Sequence, residues 1–544
     1  KKRQRHSNAT PECNIVATNQ YADDSLEGCL QELEAETNPL YVESKKKENE
    51  TAVRNSVDST GDKEDPFPLL KSAETSRKEK IESWDAAFKM WTKNNNGQYS
   101  TNLLPCFETE LARHFQVKEL SGYLLKSCKD LKMPVFERWL LDSNLEEKQR
   151  DRLQKPFKRS KNQFQQGDAV LPRYLSLKSE SSQRLIEEIV ETGTLEEEAT
   201  KIVQELFRRI KAAIQEIASQ NLRCASQTPF KTDRIVAEEG SYLVSLLYSR
   251  KKWKSPFIVK INKAHYEKLK QRFIHSHKEV VSDLDFSISQ QKRNKVQHAF
   301  HLLLMVMTLR YSSLSGGQLL DDFRGGGMQG GINEQAFTVL KETFPKKILF
   351  ECFGSPFNAT LPYFSSAFEE LDWHFGSVGD LATVAGFQDG CCCEANPPFS
   401  PGFMEFLAER IDFHIAKADA NNKALTFVVI VPAVHEKDTS AGKDRIASAV
   451  KRFAAKAHKR MVQSSSCRKH IVLPAKEHGY VEGAQHLRPT RYKRSLYDTS
   501  VIVIASKKAR EVALDDEQFQ KDIKEAFAER HSEERKKRIT SEES

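Results

Sequence analysis

The segment Gly390-Cys391-Cys392-Cys393-Glu394-Ala395 constrains the fold more than any other. A run this short, small-sided and apolar predicts the end of a buried strand, and it stops at Asn396-Pro397-Pro398-Phe399. The prolines fix φ and carry no N–H, so the carbonyls around them stay free to accept from a bound group. The strand therefore delivers an amide side chain, two locked prolines and an aromatic ring to one edge of a sheet. Asn396 offers one acceptor and two donors, and Phe399 is able to stack on a flat ring. The set suits an amine-bearing base such as adenine, and nothing in it is a nucleophile. Four residues are also a common way to close a strand with a turn, so the surroundings decide.

Around this point the chain alternates. Residues 334–342 read as a helix and 347–353 as a buried strand; further strands are expected at 390–395, 426–431, 470–473 and 500–505, with helices at 401–418 and 443–461. Such alternation predicts a mostly parallel sheet with helices on its faces, and ligands off the carboxyl ends of its strands. The loops placed there are 354–358, 396–399, 432–438 and 474–483. The short gap between 353 and 390 leaves room for only short intervening strands. In the helix 443–461, Ile446, Val450, Phe453 and Ala457 share the sheet-facing side. Lys451, Arg452, Lys456, Lys459 and Arg460 lie elsewhere, and their density beside the loops fits an RNA backbone.

Upstream, residues 1–78 are polar, charge-mixed and without period, as expected of a disordered arm. Trp84, Phe88 and Trp91 recur at spacings of four and three on one helix face. They lack the glycine and tyrosine run of a WW module. Residues 79–330 read as an all-helical domain: Ile202, Leu206, Ile210, Ile214 and Ile217 form a buried stripe, and 300–310 is apolar nearly all round, as in a central helix. The formal Gly-x-Gly-x-x-Gly within 324–330 follows no strand and opens no helix, so it reads as a flexible linker and not a dinucleotide fingerprint. The α/β domain is placed at 331–510 and a charged tail at 511–544.

The 544 residues carry a net charge of +8, a balance that permits an acidic polymer as partner. The ten cysteines include no zinc-finger pair. Cys391, Cys392 and Cys393 point to alternate faces of one strand and cannot clamp one metal, which fits small strand residues in a reducing compartment; no metal is expected. No signal peptide or membrane span is found. Because residue 1 is lysine, an upstream piece is expected.

In order along the chain, Glu351-Cys352-Phe353-Gly354-Ser355-Pro356-Phe357-Asn358, Phe375-Gly376-Ser377, Glu394 to Phe399, and Glu477-His478-Gly479-Tyr480 with Gln485-His486 resemble the cap-specific adenosine N6-methyltransferase family, whose animal member is the phosphorylated-CTD-interacting factor. The resemblance implies a Rossmann-like S-adenosylmethionine-dependent methyltransferase domain packed on the helical domain. It further implies transfer to N6 of the first transcribed adenosine, 2′-O-methylated, beside a 7-methylguanosine cap. By the same resemblance Asn396, Pro397, Pro398 and Phe399 are the catalytic loop. Glu351, Ser355, Pro356, Asn358, Phe375, Gly376 and Asn396 are expected at the cofactor, and His435, Glu436, Glu477, His478 and Tyr480 at the capped RNA. Capped RNA and the transcription machinery are the implied partners, with a nuclear monomer expected. A different RNA or DNA adenine methyltransferase, and a scaffold that binds capped RNA without catalysis, are the alternatives.

Overall fold

The computed structural model describes residues 71–93, 104–153, 168–226, 233–317 and 329–528, with breaks at 129, 132–133, 241–242, 251–253, 279–289, 345–347, 435–444, 483–491 and 513. The polar arm as far as residue 70, the glycines 325–327, His435, Glu436, Gln485 and His486 lie outside the described residues.

Among the described residues, seven helices form one layer: α1 (Lys71–Lys93), α2 (Phe107–Ser127), α3 (Val135–Leu153), α4 (Glu180–Val190), α5 (Glu196–Ser226), α6 (Lys263–Ser276) and α7 (Gln290–Leu314). The expected faces are the buried ones. Trp84 and Phe88 stack at 4.8 Å, and Leu206, Ile210 and Ile217 of α5 are buried. Helix α7 is the central helix, buried without interruption from Phe300 to Ser313. Its buried Arg310 is held by carboxylates: Nε donates to Glu110 Oε2 at 2.8 Å, and Nη1 to Glu370 Oε1 at 2.5 Å. Arg113 donates in turn to Asp168 Oδ2 at 2.9 Å. Burial alone would raise the Glu110 pKa, but Arg113 and Arg310 outweigh it and hold the carboxyl at about 2.

The region is not all-helical. Strands β1 (Asp233–Glu239), β2 (Leu243–Arg250) and β3 (Phe257–Asn262) form an antiparallel meander. The reason is a period of two: Val244, Leu246 and Tyr248 alternate inward on β2, as do Val259 and Ile261 on β3. Tyr248 stacks on Phe107 at 3.9 Å and donates to Glu108 Oε1 at 2.8 Å, which fastens the meander to α2.

The second layer follows. Strand β4 (Gly330–Gly331) joins a small sheet with β9 (Gly479–Glu482) and β10 (Tyr492–Arg494), so Gly330, assigned to a linker, is paired backbone. The main sheet holds β5 (Ile348–Glu351), β6 (Cys391–Ala395), β7 (Leu425–Pro432), β8 (Cys467–Leu473) and β11 (Thr499–Ala505), in the order β5-β6-β7-β11-β8. Strands β5, β6 and β7 are parallel, while β11 is antiparallel to both neighbours; the expected sheet is present with one strand reversed. Beyond β5 the sheet continues only as two single parallel bridges, Glu351 to Phe364 and Phe364 to Ser377. These are the short intervening strands the sequence allowed for, and the short helix α9 (Glu369–Asp372) lies between Phe364 and Ser377. Helices α10 (Pro401–Ala420) and α11 (Arg445–Val462) cover one face, with Leu407, Ile411, Ala457 and Met461 in the core. Helix α8 (Glu334–Thr343) covers the other with a helix over residues 516–528. This helix of the charged tail packs on the sheet layer: Phe519, Ile523 and Phe527 recur at spacings of four and are buried with Phe337 and Leu340, and Asn333 Nδ2 donates to Ala526 O at 2.9 Å.

Candidate active site

Off the carboxyl ends of β5 and β6 lies a cavity of about 990 Å³, walled by both layers. The sheet side supplies Ser355, Asn358 and Asn396 to Phe399; the helical side supplies Leu141, Asn144, Leu145 and Lys148 of α3 and Tyr311 of α7. The size is in the range of small-molecule sites.

The loop after β5 is tied to itself. Asn358 Oδ1 accepts from Ser355 N at 2.6 Å, and Ser355 Oγ donates to Gln329 Oε1 at 2.7 Å. Asn358 Nδ2 donates to Gln329 O at 3.3 Å. Gly354 is required at the turn, because a Cβ there would lie 2.9 Å from the Phe364 ring. Asn396, which ends β6, donates through Nδ2 to Gly330 O at 3.1 Å. That bond commits the amide nitrogen and leaves Oδ1 as the acceptor. Gln329 and Gly330 therefore link the two loops, although a glycine run gives no side-chain signal for such a role.

Phe399 meets Tyr480 and Tyr497 edge to face, with centroids 6.2 and 5.8 Å away, which makes an aromatic corner beside Asn396. Burial pushes the Tyr480 hydroxyl pKa up, and its OH lies 2.8 Å from Thr499 Oγ1. Lys493 and Arg494 border this corner, whereas Glu369, Glu370 and Asp380 border the other part of the wall, with Lys148 donating to Asp380 Oδ2 at 2.8 Å. Cys352 also lines the cavity, but burial raises its pKa and that of Cys393 behind it, so neither thiol is an activated nucleophile.

Several predicted site residues do other work. Glu351 is buried and away from the cavity wall; its Oε2 accepts from Thr360 N and Leu361 N at 3.0 and 3.1 Å, which pins the loop beyond Asn358. Pro356 is buried within that loop. Phe375 is fully buried, 6.2 Å from the Phe273 ring of α6, and Gly376 turns beside Arg272 at φ 105°; neither reaches the cavity, because α6 claims both. His478 is also enclosed: Nδ1 lies 2.7 Å from Pro474 O and Nε2 2.7 Å from Thr499 Oγ1, so it supports Tyr480 through Thr499. Glu477 is exposed and outside the cavity lining. His435 and Glu436 lie outside the described residues.

A family model described as "Phosphorylated CTD interacting factor 1 WW domain" matches residues 281–483. Two curated relatives, of Homo sapiens and Mus musculus, are each named "mRNA (2'-O-methyladenosine-N(6)-)-methyltransferase" and are 30% identical to this chain over 200 residues. Residues 281–483 are thus similar to the phosphorylated CTD interacting factor 1 family. The match to the relatives covers 36% of this chain and 24% of their own length, so the chain spans about a quarter of the relatives it matches. Within the family match lie α7, β5 to β9, the loop after β5 and Asn396 to Phe399. The matched stretch holds a single tryptophan, Trp373, and what it covers is the body of the α/β layer and not a compact module built around two tryptophans.

Proposed function

We propose that this chain is an S-adenosylmethionine-dependent methyltransferase with a Rossmann-like sheet, acting on N6 of the first transcribed adenosine, 2′-O-methylated, beside a 7-methylguanosine cap. The observation that carries the reading is the fixed orientation of Asn396: with Nδ2 bonded to Gly330 O, its Oδ1 and the carbonyl of Pro397 are two acceptors on the wall of one cavity. The relatives' printed name supplies the substrate class. The nucleus is the compartment that a capped transcript implies.

The cavity fits the cofactor. The Ser315 and Ser365 hydroxyls, both on its wall, are buried without a hydrogen-bond partner, which leaves polar groups for a ligand to satisfy. Ser355 and Asn358 would hold it on the β5 side, with Ser366, Phe368 and Asp380 further along. When bound, S-adenosylmethionine supplies an electrophilic methyl on a sulfonium.

The chain's own residues deal with a poor nucleophile. The N6 lone pair of adenine is delocalised into the ring. Acceptance of its two hydrogens by Asn396 Oδ1 and Pro397 O favours a pyramidal nitrogen with its lone pair directed away from them, and the same oriented acceptors stabilise the positive charge that develops. Phe399, with Tyr480 and Tyr497 set against its edges, holds the base in a stacked position outside any duplex. No carboxylate need remove a proton beforehand, because the proton leaves after transfer. Lys493 and Arg494 place positive charge at the aromatic corner, where a substrate's phosphates would pass.

The test is methyl transfer from labelled S-adenosylmethionine to a short RNA starting with adenosine, capped or carrying a bare triphosphate, by wild type and Asn396→Ala. Transfer to capped RNA alone, reduced about 100-fold or more in the variant, is expected from loss of an oriented acceptor. Equal transfer to both RNAs would keep the chemistry and discard cap specificity. Binding of capped RNA without transfer would favour the scaffold.

A further inference from the structure

Helix α10 begins directly after the catalytic loop, and its N-cap residue, Ser400, makes no side-chain bond to the helix's amides. Another helix does the capping. Ser400 Oγ donates to Asp142 Oδ1 at 2.6 Å, and Gly402 N donates to Asp142 Oδ2 at 3.1 Å. Pro401, at the first helical position, has no N–H, so Gly402 carries the first amide that needs a partner. A carboxylate there also meets the positive end of the helix dipole. The fit leaves no room for a side chain at 402: a Cβ would stand 2.6 Å from Asp142 Oδ1 and 2.7 Å from Cγ.

Asp142 belongs to α3, in the helical layer, and is 3% exposed. Its neighbours Leu141 and Leu145 line the cavity, and so do Phe403 and Phe406 on the turns of α10 that it caps. Ser400 N donates to Pro398 O at 2.8 Å, so what fixes Ser400 fixes the two prolines as well. Arg184 of α4 stands 3.9 Å from Asp142 Oδ2 and 3.8 Å from Glu405 of α10, which ties the three helices at this point.

We propose that Asp142 is a positioning residue for methyl transfer: it anchors the exit of the Asn396–Phe399 loop to the helical layer, and thereby sets the aim of Asn396 Oδ1 and Pro397 O at the target amine. The inference rests on the methyltransferase reading above. It goes beyond it by placing part of the transition-state geometry under a residue that touches neither substrate nor cofactor.

Steady-state kinetics on capped RNA, S-adenosylmethionine affinity by calorimetry and thermal melting test it on the full chain. Asp142→Ala is expected to lower kcat about 10- to 100-fold, with KM for RNA and cofactor affinity within about threefold, since misaim acts on the reacting pair and not on ground-state binding. Gly402→Ala displaces the carboxylate without removing it and should reproduce that loss, with the double variant no worse than the poorer single. Asp142→Asn keeps an acceptor for Ser400 Oγ and should recover part of kcat. A lowered melting temperature with unchanged kcat would make Asp142 an ordinary helix cap and overturn the proposal. If Asp142→Ala does not fold, Ser400→Ala removes one of the two bonds, and an unchanged kcat there overturns the proposal equally. A wild type that transfers no methyl to any RNA would defeat the functional reading and this inference with it; an active wild type beside an equally active Asp142→Ala would defeat the inference alone.

Discussion

In the sheet, β7 buries every side chain from Leu425 to Val431 and β11 every one from Thr499 to Ala505, most of them valine and isoleucine. In the helical layer, the buried stretch of α7 contains Arg310, which is held by Glu110 and Glu370. Strands buried on both faces are held by apolar area, which does not titrate. The helices around Arg310 are held in part by charges that have left water, and removing one partner strands the other. The two walls of one cavity should therefore respond differently to mutation and to pH.

The largest expected effect is that of Arg310→Met, which leaves the buried Glu110 to Arg113 alone and should cost about 3–5 kcal/mol at neutral pH, read by denaturant unfolding. That cost should shrink in acid. Glu110 is held at about 2 from an ordinary 4.5, so its contribution is complete above about 4.5 and is lost as pH falls from there through about 2. Unfolding curves of wild type and variant should converge over that window. Next comes Ser355→Ala, which removes the bond to Gln329 and a polar group of the cavity wall; a loss of about 1–1.5 kcal/mol, roughly tenfold in S-adenosylmethionine affinity, is expected by calorimetry. In the sheet, Ile502→Val should cost about 1 kcal/mol, the same at pH 4 and pH 7. A pH-dependent loss there, or a pH-independent one at Arg310, would break the contrast. The smallest effect is expected from Tyr480→Phe, which gives up the hydroxyl's contacts with Thr499 and Tyr497 and should change KM for RNA by about two- to fivefold.

The five strands of the main sheet were legible because each is a compact run of β-branched or small residues between helices of recognisable period. Of the meander, only Phe257 to Val259 reads as a short extended run; β1 does not, because Asp233–Glu239 carries four charged residues in seven and resembles a solvated connection until its pairing with β2 is seen. The loops at 355–358 and 396–399, which supply residues to the cavity wall, stand out in the sequence because their chemistry is local. Gly330 and Asp142 escaped for opposite reasons. One acts through its main chain, which no side-chain pattern reports; the other is one acid among several on α3, distinguished only by the glycine opposite it. Phe375, Gly376 and Glu351 were assigned to the cofactor by resemblance, yet the packing of α6 and the amides of Thr360 and Leu361 take them first.

The sheet beyond β5 dwindles to two bridges, and on that side the cavity is finished by Leu141, Leu145 and Lys148 of α3. A small molecule designed to reach from the acceptor loop to these residues would touch a surface that belongs to the helical layer. Its selectivity over pockets built from a sheet alone would then come from that helix.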